Sequence, residues 1–107
     1  MAFNYARLPS ATIASGASTS GTVYPTDDAY GVSVISPTTL TGTISVQVEH
    51  TDTGTNFVTL QSGGVDVTMV ASRALVITPC PFKQIRLVSD SVEGADRVFT
   101  LARVVPI

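Results

Sequence analysis

The residues that could do nucleophilic chemistry are few. One cysteine, Cys80, sits in "ITPCPFKQIRLVSD" (Ile77 to Asp90), and one histidine, His50, closes "TISVQVEH" (Thr43 to His50). A cysteine nucleophile needs a base to generate thiolate, most often a histidine. Cys80 lies between Pro79 and Pro81. Pro79 cannot donate to a strand ladder and Pro81 fixes a second φ angle. The spacing therefore predicts a rigid corner that turns Phe82 into the core, with Cys80 as a small apolar corner residue. His50 continues the parity of Ile44, Val46 and Val48, which predicts a rim histidine capping the core. One histidine and one cysteine cannot supply the usual ligand number of a zinc site. Acidic residues gather at Asp27-Asp28 and at Asp90, Glu93 and Asp96. Calcium takes six to eight oxygens; neither cluster has the EF-hand pattern, and both are expected to be solvated loops. Glycosidic cleavage needs paired carboxylates in a sugar-binding cleft, and the chain has no Trp, three Tyr and four Phe. With no nucleophile–base pair, metal set or phosphate loop in the sequence, the expectation is a non-catalytic protein that uses no cofactor.

The elements that must position these residues are strands. The chain has 107 residues, 44% hydrophobic and 13% charged, with a net charge of −2. That suits one domain, is too apolar for a disordered chain, and carries about half the usual charge, so a partner is expected to cover part of the surface. The arginines (Arg7, Arg73, Arg86, Arg97, Arg103) are scattered, whereas a nucleic-acid groove needs a concentrated positive field; no nucleic-acid partner is expected. A single cysteine allows no intrachain disulfide. No run approaches the roughly 18–20 apolar residues of a membrane helix, so no membrane partner is expected. "MAFNYARLPS" lacks the apolar h-region of a signal peptide, and synthesis in a cytoplasm is expected.

Valine, threonine and serine dominate, and short apolar runs alternate with Gly, Pro, Asp and Ser clusters. That is the rhythm of an all-β, single antiparallel β-sandwich, jelly-roll-like, of about eight strands. "TISVQVEH" alternates most cleanly, with Ile44, Val46 and Val48 inward. "TDTGTN" turns it into "FVTLQ" (Phe57 to Gln61) as a hairpin. After Gly63-Gly64, "VDVTMV" is expected to turn Val65, Val67 and Met69 inward. Further strands are expected at Tyr30–Ser36, Ala74–Thr78, Gln84–Ser89 (Ile85 and Leu87 inward, Arg86 outward) and Arg97–Val105, with short ones near Ala11–Ser15 and Thr22–Tyr24. Residues 1–10, with Phe3, Tyr5, Leu8 and Pro9, read as an N-terminal arm docking on the chain's own body or on a neighbour, and 11–107 as the sandwich domain.

The order "GTISVQVEHTDTGTNFVTLQ", "ITPCPFKQIRLVSD", "GADRVFTLARV" resembles small β-sandwich virion proteins of tailed bacteriophages. Their pattern is a strand, then D-G-T-N-W/F and V-x-L, then I-T-P-x-P-F and I-R-L-V-S, then a closing A-x-R-x-F-x-L strand. The likeness covers roughly Thr41 to Val104, and Pro81-Phe82 with Ile85 to Ser89 is its most specific part. Galactose-binding-like jelly rolls carry a related F-x-x-I-R-L strand, so the motif reports fold before function; unlike sugar-binding relatives, this chain has no Trp after Asn56. The resemblance implies a virion structural protein on the capsid surface: a decoration (cement) protein that binds the major capsid protein as a homo-oligomer, a trimer by preference. The residues expected to meet partners are Phe3, Tyr5, Arg7 and Leu8 in the arm and Val105 and Ile107 at the other end. Two alternatives stand beside it: a neck, tail or fibre protein, and a non-catalytic glycan-binding module.

Overall fold

The computed structural model describes residues 3–25, 30–49 and 56–106, and the side chains of these except 3–5 and 105–106. His50, Asp27, Asp28 and Ile107 lie outside the described residues. The fold is all-β and antiparallel. Its strands are β1 (Phe3–Arg7), β2 (Ala11–Ile13), β3 (Gly31–Ile35), β4 (Ile44–Glu49), β5 (Val58–Thr59), β6 (Gln61–Ser62), β7 (Val65–Asp66), β8 (Thr68–Met69), β9 (Ala74–Ile77), β10 (Gln84–Ser89) and β11 (Arg97–Pro106). The larger sheet runs β1-β11-β3-β9, with β2 also on β11. The smaller runs β10-β4-β5, with β8 also on β4, and β6 and β7 form a hairpin of their own.

One apolar core draws on both sheets. Ile44, Val46, Ile85 and Leu87 from the smaller sheet and Val32, Val34, Phe99 and Leu101 from the larger are fully buried. Each such side chain contributes about 1.5–3 kcal/mol relative to exposure. The expected alternation of β4 and β10 is present, with Gln47 and Arg86 only half-buried on the opposite face. β5 pairs with β4 as the expected hairpin return, Val58 opposite Val48. Gly63 and Gly64, both at positive φ, form the two-residue loop of the β6–β7 hairpin, a backbone that side-chain-bearing residues rarely adopt.

Residues 3–7 dock on the chain's own body, one of the two courses expected for the arm: β1 pairs with the end of β11, Phe3 opposite Pro106 and Arg7 opposite Ala102, and β2 continues along the same strand with Ala11 opposite Phe99. Between those pairs four steps of chain face three, a bulge at Leu8–Ser10, where Pro9 has no N–H to give. Leu8 itself is buried in the core cluster and donates its N–H to the Leu101 carbonyl at 3.0 Å. Val65 is 68% exposed, because β7 pairs only with β6 and joins neither sheet; Val67, half-buried against the core, and Met69, buried in it, face inward as expected. Phe82 is half-buried, packed against the core from its margin.

Candidate binding surface

In an antiparallel sheet, directly opposed residues share a face. Val34 opposes Leu101 on the core side, so Ser33, Ile35, Thr100, Ala102, Ala74 and Val76 lie on the outer face of the larger sheet. Ile35, Val76 and Val98 stand out to solvent there at 52%, 60% and 49% exposure. Small uncharged residues fill the spaces between them. Val104 is buried yet belongs outside the core cluster, which places it on this same face, opposite Gly31. A Cβ on Gly31 would run into the Thr78 methyl and lie 2.8 Å from the Ile77 carbonyl oxygen. Glycine there is what lets β3 and the end of β9 close up beneath the face.

Charge is segregated. The strands of the larger sheet contain no Asp or Glu; their charges are Arg7, Arg97 and Arg103, and Arg73 immediately precedes β9. Arg97 is neutralised by Glu93, Nε to Oε1 at 2.9 Å. Arg7 and Arg73 are exposed at the rim. The outer face of the smaller sheet is different: Arg86 lies over the Phe57 ring, 4.1 Å from its centroid, and donates to Gln47 at 2.7 Å.

Beside the β9 edge runs a groove of about 420 Å³. Leu75, Ile77, Pro81 and Phe82 form one wall, and Leu60 and Val67 line it as well; no lining residue is charged. Phe82, half-buried, lines this groove.

The expected solvated acidic loop is instead a clamp. Glu93 is fully buried. Its carboxylate accepts from Thr41 N at 2.8 Å, Gly42 N at 3.0 Å, Ser89 Oγ at 2.8 Å and Arg97 Nε at 2.9 Å. Burial alone would raise its pKa. The backbone N–H of Thr41, the Ser89 hydroxyl, the Gly42 N–H and Arg97 together outweigh burial and hold it at about 2. Asp90 accepts from Thr43 N at 2.9 Å and Asp96 from Ser15 N at 2.8 Å. The three acids pin two distant stretches of chain, residues 41–43 and Ser15. Among the described residues no group of three or more His, Cys, Asp or Glu could hold a metal ion.

Cys80 is buried in the core cluster, and burial, opposed by a backbone hydrogen bond at Phe82, pushes its thiol pKa up; a thiolate nucleophile needs the opposite. Of the residues expected to meet partners, Arg7 is exposed beside the outer face, and Leu8 is in the core. β1 sets Phe3 opposite Pro106, Asn4 opposite Val105 and Tyr5 opposite Val104, so residues 3–5 and 104–106 are brought together at one end of the larger sheet. Sequence reasoning missed the outer face itself. Its signal was present: "GVSVI" and "ALVI" are apolar at positions of both parities, where a strand with one solvated face alternates. Comparison of the chain with protein-family models, curated proteins and solved structures returns no match.

Proposed function

We propose that this chain is a structural protein of a tailed-bacteriophage virion, a decoration protein that seats on the major capsid protein at the capsid surface and stabilises the shell. The sequence resemblance from Thr41 to Val104 supports the class. The observation that carries the docking is the outer face of the larger sheet: Ile35, Val76 and Val98 exposed among small uncharged residues, with no acid on the sheet and Arg7 and Arg73 at its rim. Exposed apolar side chains grouped on one uncharged sheet face with a polar rim suit a protein contact. Its charge suits a partner patch that is apolar at the centre and acidic at the margin.

The test is binding to purified, undecorated shells. Ile35→Lys and Val98→Glu place charges on the face without touching the core. Each is expected to weaken shell binding by at least about tenfold, the scale of a single hot-spot residue, with the melting temperature unchanged. Wild-type affinity in both variants would refute the face. Copy number per particle separates the virion readings: hundreds mean shell decoration, and a few to some tens mean neck, tail or fibre. Binding to a glycan array by the isolated chain would favour the glycan-binding alternative instead.

A further inference from the structure

Exposed strand edges offer unpaired N–H and C=O groups to other chains, and proteins blunt them by covering, shortness or charge. The edge of β10 is covered: Val23 and Ile85 exchange N–H to carbonyl bonds at 2.8 and 2.9 Å, and Ser20 donates to Leu87 at 2.9 Å. β5 and β8 are two residues long. β1 ends on the exposed Arg7. β9 has none of these protections. It ends its sheet, and its four residues are Ala, Leu, Val and Ile. Ser36 donates to the Arg73 carbonyl at 2.9 Å, so by the alternation of antiparallel ladders Leu75 and Ile77 bond to β3. The N–H and C=O groups of Ala74, Val76 and Thr78 therefore point out of the sheet, and they have no partner among the described residues.

We propose that this edge binds the β9 edge of a second copy of the chain, antiparallel, about a two-fold axis at Val76. That register pairs Val76 with its own copy and Ala74 with the copy's Thr78, which uses all three outward positions. Pro79, with no N–H, and the turn before Arg73 end the ladder on its two sides. The charge pattern selects this arrangement. The edge carries no charge to repel its copy, and the antiparallel register sets the two Arg73 residues six positions apart, roughly 20 Å; a parallel pairing would put them side by side. The two uncharged grooves lined by Leu60, Leu75 and Phe82 then flank the same axis. Such an interface is isologous and closes as a dimer, not as the three-fold assembly the resemblance implies. It needs no shell, so it stands or falls apart from the docking proposal.

Light scattering of the purified chain gives the mass, expected at twice 11.1 kDa and falling on dilution. Val76→Pro removes the N–H at the axis but none that bonds to β3; it is expected to give the single-chain mass with an unchanged circular dichroism spectrum. Val76→Cys is an independent check that does not need the proline variant to fold. Hydrogen-bonded antiparallel pairs have Cα atoms about 5.5 Å apart, within reach of a disulfide. Mild oxidation is expected to give a covalent dimer from Val76→Cys and none from Val58→Cys, which is as exposed but on β5. A single-chain mass for the wild type at every concentration, a three-chain mass untouched by Val76→Pro, or equal cross-linking of the two cysteine variants would overturn the proposal.

Discussion

Replacing Glu93 by Gln should remove one of the main electrostatic supports of the fold. The carboxylate takes two donors on each oxygen: Thr41 N–H and Arg97 Nε on one, Gly42 N–H and Ser89 Oγ on the other. An amide has one acceptor oxygen, so its NH₂ must face a pair of donors. The Ser89 hydroxyl can rotate to accept, but a backbone N–H cannot, and one donor is left unsatisfied in a buried site. That orphan alone costs about 1–3 kcal/mol. The pKa offers a second route to the magnitude. A carboxyl lowered from an ordinary 4.5 to about 2 represents about 3 kcal/mol at neutral pH. The two routes agree, and for a chain of this length the loss corresponds to a fall in melting temperature of roughly 15 °C. The sign with pH follows from the lowered value. The stabilisation is complete above pH 4.5, drains away as pH falls toward 2, and is gone below it, where Glu93 is protonated and resembles glutamine. Urea unfolding of wild type and Glu93→Gln at pH 7, 4.5, 3 and 2 checks this. A difference below about 1 kcal/mol at pH 7, or one that stays constant down to pH 2, would refute the clamp.

Two further outcomes follow from packing. Gly42→Ala would drive a Cβ into the Asp90 carboxylate and Ser89 hydroxyl, 2.9 Å from Ser91 N; the expected loss is about 1–3 kcal/mol, measured by urea unfolding, and wild-type stability would mean that the loop yields freely. Phe99→Ala, at a fully buried site, should cost about 3–5 kcal/mol, whereas Phe82→Ala, at the open groove, should cost less than half of that; equal losses on thermal melting would place Phe82 in the core after all.

How much was legible depended on whether a residue's environment was local. β4 and β10 could be read because one face of each is more solvated, so Ile44, Val46, Ile85 and Leu87 carry a period of two. β9 could not, since Ala74 and Val76 are as apolar as Leu75 and Ile77 while lying on the outer face. Phe82 has the composition of a core residue and the position of a groove wall, and the difference lies in Leu60 and Val67 across from it. Glu93 was unreadable as a clamp because the N–H groups it satisfies belong to Thr41 and Gly42, some fifty residues upstream. β1 needed β11, at the far end of the chain, before it could be anything but an arm.

The distribution of charge ties these parts together. The chain is net negative, yet its larger sheet carries only arginines. Asp90, Glu93 and Asp96 are spent on backbone N–H groups of neighbouring loops. Their work is therefore structural, and it leaves the outer face with no negative charge to oppose an acidic partner. Pairing β9 with its copy would extend that face across the axis, bringing Ile35 and Val98 of both chains onto one continuous sheet. Two linked weak contacts then act as one stronger contact, because the second forms at a high effective concentration. A face built of single exposed apolar side chains gains affinity in this way without any one of them becoming an anchor. It also explains the open β9 edge: a protein that had to remain a monomer would be expected to carry a lysine or proline at Val76.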